Sequence, residues 1–173
     1  MILDIIAFLC LIVAFVLLIT LSVIDLKIGL LPNIYNALFA LTGLAFHDLT
    51  EFLWLDIHDL ALGALVGGGM LFIVRLAANF LYKADTLGLG DVKLLAAAGV
   101  WLGPQGILLA ITAGAFAGVL HGAGAILANR NKDDSKPISH FSIPAGPGFA
   151  VGIVIAGAYQ YWPFIKIIFR EVF

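Results

Sequence analysis

Charge is what this chain has least of: charged residues make up 12% of its 173 positions, with 9 Lys and Arg against 11 Asp and Glu. That scarcity excludes the solvated surface of an ordinary soluble domain. The net charge of -2, without a basic tract, excludes nucleic acid as a partner. The single cysteine, Cys10, lies inside the first apolar run, so a disulfide framework and a cysteine zinc site are both excluded, and it reads as a packing residue. The N-terminus also lacks a basic n-region and a small-residue cleavage site, so its apolar stretch reads as a retained helix rather than a secretory signal.

What is present is hydrocarbon. Hydrophobic residues make up 62% of the chain, and the mean hydropathy is +1.11. Apolar runs of about twenty residues recur along the length, each suited to cross a bilayer as a helix. The expected fold is therefore all-α: a polytopic membrane protein of about six transmembrane helices in one bundle over residues 1–173, with no separate domain and with lipid as its surroundings.

The first helix is expected over residues 3–24, ending in IDLKIGLLPN, where Gly29 and Pro32 interrupt helical geometry and Asn33 caps the next helix at 34–46. An acidic stretch from Asp48 to Asp59 holds no Lys or Arg and reads as an interfacial loop, with Phe52 and Trp54 as anchoring aromatics. A third helix at 60–82 leads through KADTLGLG to a fourth at 92–102, which at roughly 17 Å must be extended, tilted or end in a wet cavity. Gly103 and Pro104 turn the chain into a fifth at 107–127, and a sixth runs from IPAGPGF to the end, with a kink expected at Pro163. Gly63 and Gly67, and likewise Gly114, Gly118 and Gly122, recur at four-residue spacing and read as packing surfaces.

Lys27, Lys83, Lys93, Arg130, Lys132 and Lys136 gather at one surface on this topology, which marks it as cytoplasmic; Lys166 and Arg170 run against the rule. Each ionisable group held at mid-helix in a bilayer costs about 2.5 to 3.5 kcal/mol, so each needs a reason. Asp25 and Asp91 are the two that matter, because both fall at the cytoplasmic ends of helices and so at one depth. Two carboxyl groups sharing a proton form the acid and base pair of amide hydrolysis. The protonated one polarises the scissile carbonyl and the ionised one activates a water, with no metal, cofactor or serine triad required. Gly88 and Gly90, lacking side chains, would let an extended peptide lie against the loop. Other readings stand beside this one. Asp91 also reads as an ordinary N-cap and Asp25 as an interfacial charge; intramembrane acids serve small ion- or proton-coupled transporters; and a non-catalytic assembly scaffold needs neither acid.

GLGDVKLLAAAGVWLG, residues 88–103, matches the GxGD motif of membrane aspartyl proteases and in its continuation resembles the type IV prepilin peptidase family. DLKIGLLPN at 25–33 resembles that family's first aspartate with its I-P-N or L-P-D signature, and FSIPAGPGFAVG at 141–152 resembles its I-P-F-G-P segment, although Ala145 stands where Phe is common. The resemblance implies that Asp25 and Asp91 are the catalytic pair, that Gly88 and Gly90 shape the loop, and that the partner is a prepilin-like precursor. It further implies removal of the precursor's leader ahead of its apolar helix, at the cytoplasmic face of the inner membrane. Larger family members carry an N-terminal extension with paired cysteines tied to metal binding and N-methylation; this chain resembles the short, peptidase-only form of Flp or Tad-type pili or of archaeal relatives.

Lys27 and Lys93 flank the acids, where they tune charge, touch a leader, or simply follow the positive-inside bias. Pro144 and Pro147 read as setting the last helix's entry and a non-helical wall of the cleft. His121 reads as a packing residue, while His47 and His58 fall in the outer acidic loop and His140 in the inner one, none at metal-ligand spacing.

Overall fold

The computed structural model describes residues 2–83, 88–129 and 145–172. They form five helices, α1 (Ile2–Ile28), α2 (Asn33–Leu49), α3 (Ile57–Tyr82), α4 (Leu89–Asn129) and α5 (Gly146–Val172), with no strand among the described residues. Four helical stretches are long and apolar enough to cross a membrane, Ile2–Ile28, Ile57–Tyr82, Leu89–Gly124 and Gly146–Arg170, so the chain is an all-α, multi-pass membrane protein. The second helix has 17 residues, which at 1.5 Å per residue reaches about 26 Å.

The fourth and fifth helices expected from the sequence are the two arms of α4, separated by a kink at Gly103, where φ 64° and ψ -176° leave helical geometry. Glycine alone adopts that conformation without strain, and Pro104 after it is pre-set for a helix start. The break brings both arms beside α3. A Cβ added at Gly67 would lie 2.3 Å from Leu95 O of the first arm and 2.8 Å from Ile107 Cγ1 of the second. The last helix continues as α-helix on both sides of Pro163.

The first arm of α4 lies against α3 with almost no space between backbones. A Cβ at Gly63 would stand 2.2 Å from Gly99 O, and one at Gly99 would stand 2.0 Å from Gly63 O. The second arm meets α5 in the same way, since a Cβ at Gly152 would lie 2.1 Å from Ala110 O and one at Gly114 3.0 Å from Phe149 Cα. Lipid tails are as apolar as Leu, so helices in a bilayer gain little from burying apolar surface alone and are held by close van der Waals approach. Small residues at these positions permit it.

Two local expectations are corrected. First, Pro32 rather than Asn33 occupies the cap position of α2, without a side-chain cap bond; Asn33 Oδ1 instead accepts from Lys93 Nζ at 2.8 Å. Second, His47 lies in α2 and is wholly buried. Its Nε2 is 3.3 Å from both Trp101 O and the Tyr161 hydroxyl, and that hydroxyl donates to Trp101 O. Pro104 brings no N–H and Gly103 leaves helical geometry, so carbonyls of the preceding turn need partners from other helices. Trp54, half-buried in the acidic stretch, packs its ring edge-on against Tyr161 and Phe164, with centroids 6.0 and 6.2 Å away.

Candidate active site

Asp25 stands in the last turn of α1, which continues to Ile28, four residues beyond the expected end. Gly29 stops it at φ +64°, donating its N–H to Asp25 O at 2.8 Å. The side chain of Asp25 turns inward and is 6% exposed. Its Oδ2 accepts the backbone N–H of Gly146, the first residue of α5, at 3.0 Å. A helix start offers unpaired N–H groups and a positive dipole end, which suits a buried carboxylate oxygen.

Gly146 is there because nothing larger fits. A Cβ at that position would lie 2.5 Å from Asp25 Oδ2 and 3.0 Å from its Cγ. This residue was missed in the sequence, although the glycine between two prolines in PAGPG marks a close backbone approach. Pro147 follows it inside α5, whereas Pro144 lies outside the described residues.

Asp91 is the third residue of α4 and is 7% exposed. Its N–H donates to Gly88 O at 3.2 Å. Its Oδ1 is buried without a hydrogen-bond partner among the described residues. A backbone hydrogen bond from Gly88 reaches the Asp91 carboxyl, a capping contact at the start of α4 that leaves Oδ1 without a use. Asp91 is also within electrostatic reach of Asp25, so the two acids share one end of the bundle although they come from α1 and α4.

The glycines before Asp91 fit the two acids together. A Cβ at Gly90 would lie 2.8 Å from Leu31 Cβ, so the missing side chain lets the α1–α2 turn close onto the start of α4. One at Gly88 would lie 3.1 Å from Asp91 Oδ2. Lys93 ties α4 to the start of α2 through Asn33, and Lys27 is exposed in the last turn of α1. These two lysines and Lys83, at the end of α3, all lie at the acids' end of the bundle.

The chain matches the model of the Type IV leader peptidase family over residues 12–123, a span that contains both acids. It is 33% identical over 143 residues to the prepilin leader peptidase/N-methyltransferase of Escherichia coli K12, covering 83% of this chain and 60% of that protein. The protein of the same name from Aeromonas hydrophila is 36% identical over 139 residues, covering 80% of this chain and 45% of the relative. A third similar protein, the type 4 prepilin-like proteins leader peptide-processing enzyme of an enterotoxigenic E. coli strain, is 37% identical over 89 residues, which is 50% of this chain and 32% of the relative. The chain thus spans between about a third and three fifths of these relatives' lengths. No solved structure matches it. With two buried acids at one end of a helical membrane bundle, and a family match enclosing both, the chain belongs to the type IV leader peptidase family.

Proposed function

We propose that this protein is an aspartic endopeptidase of the inner membrane that removes the leader from prepilin-like precursors at the cytoplasmic face. Asp25 and Asp91 would carry the reaction. The observation that supports this most is their convergence: two buried carboxyl groups from separate helices, close enough to interact, one with an oxygen left unpaired. Such a pair holds one proton between its members and a water against them. The ionised member takes a proton from the water, whose oxygen adds to the scissile carbonyl carbon while the protonated member donates to the carbonyl oxygen. Collapse of the tetrahedral species breaks the C–N bond: the amine leaves with the proton from the first acid, and one hydroxyl of the gem-diol returns its proton to the second. The cytoplasmic orientation rests on Lys27, Lys83 and Lys93 at the acids' end.

The test is leader cleavage by the protein purified in detergent, with candidate prepilins as substrates. Asp25→Asn and Asp91→Asn are each expected to lower the rate by at least about a thousandfold, from loss of the general acid–base pair, while the protein still inserts and unfolds at a similar temperature. Cleavage by either Asn variant near the wild-type rate would remove the proposed pair. Proton or ion flux abolished by the same changes, in a protein that cuts nothing, would favour a transporter.

A further inference from the structure

Asn36 is 4% exposed, yet neither its Oδ1 nor its Nδ2 has a hydrogen-bond partner among the described residues. A buried carboxamide in that state destabilises the folded protein, and an apolar side chain of the same size would not. Its presence asks for a partner beyond those the described residues offer.

Its neighbours along α2 fix where it faces. Asn33, one turn before it, bonds Lys93 of α4; Phe39, one turn after it, accepts the Trp101 indole N–H of α4 at 2.7 Å. Residues three apart share a helix face, so Asn36 belongs to the stripe that looks toward α4. Within the α1–α2 hairpin, Asp25 stands three residues before the end of α1 and Asn36 three residues after the start of α2. Both therefore lie about 4.5 Å inside the turn at 1.5 Å per residue. Asp91 stands two residues into α4, and its Oδ1 is likewise buried and unpaired. A carboxamide and a carboxylate oxygen, both buried and both without a partner among the described residues, thus occur at one end of the bundle on helices that face each other.

We infer that Asn36 is a substrate-binding residue whose carboxamide pairs with the backbone of one extended residue of the precursor, Nδ2 donating to that residue's carbonyl oxygen and Oδ1 accepting that residue's N–H. This deepens the peptidase reading and rests on it. A chain about to be cut must lie extended, and an extended segment leaves its backbone groups without intrachain partners. In a water-poor helical bundle those groups need donors and acceptors from the enzyme, and a primary amide offers one donor side and one acceptor side by side, as the N–H and C=O of one extended residue require.

Asn36→Leu keeps the volume and removes the polarity, and Asn36→Ala guards against a leucine that packs badly. The assays are kcat and KM for cleavage of a purified prepilin, affinity for that prepilin in an Asp91→Asn background, and the thermal midpoint in detergent. Both variants are expected to lower kcat/KM about 10- to 100-fold, the loss of one or two hydrogen bonds to substrate, and to weaken prepilin binding by a similar factor, with the leucine variant's midpoint unchanged or raised. Wild-type kcat/KM in both variants overturns the inference and leaves the peptidase reading intact. A fall in kcat/KM matched by a fall in midpoint in both assigns Asn36 to the fold and also overturns it. A wild-type protein that cuts nothing refutes the peptidase reading and this inference with it.

Discussion

Gly146→Ala tests the site with a single methyl group. The added Cβ would meet Asp25 Oδ2 at 2.5 Å, where ordinary van der Waals contact begins at 3.4 Å, so 3.4 minus 2.5, or about 0.9 Å, must be found by moving the carboxylate or the start of α5. Either movement strains or breaks the 3.0 Å bond from the Gly146 N–H that orients Asp25. A displacement of about 1 Å at a reacting group costs on the order of a hundredfold in rate, or about 2.7 kcal/mol of transition-state stabilisation at 1.36 kcal/mol per decade. The assay is the rate of leader cleavage at saturating prepilin, beside the thermal midpoint in detergent. The expected result is kcat down about a hundredfold with the protein still folded. Gly69→Ala is the control, because nothing lies within 4 Å of a Cβ there; it should leave kcat unchanged and stabilise α3 by about 0.5 to 1 kcal/mol. A Gly146→Ala enzyme cutting within two- or threefold of wild type would show that the contact between α5 and Asp25 does not hold the acid in its working position.

Other changes separate packing from chemistry. Gly99→Ala drives a methyl to 2.0 Å from Gly63 O, which must force α3 and α4 apart; a loss of about 3 kcal/mol or more is expected, read as a fall in the unfolding midpoint, and an unchanged midpoint would deny that these backbones touch. Tyr161→Phe removes the hydroxyl that donates to Trp101 O beside the Gly103 break, while His47 Nε2 remains 3.3 Å from that oxygen. A loss of about 1 kcal/mol in stability with KM for prepilin unaltered is expected; a raised KM with no change in stability would tie this cluster to substrate instead.

The membrane, the helical class and the order of helices were legible in the residues, because hydropathy over twenty positions is a local property and the bilayer leaves the backbone few alternatives. Asp25 and Asp91 were legible for a related reason: an acid in an apolar run is costly enough to stand out. Tertiary structure alone decided which groups oppose them. Gly146 reaches Asp25 across 121 positions, Leu31 fills the space left by Gly90, His47 belongs to a buried cluster rather than an outer loop, and buried Asn36 has no partner among the described residues. Each of these depends on the rotation and register of one helix against another, which arise from close packing between distant segments and leave no periodic trace in either segment by itself.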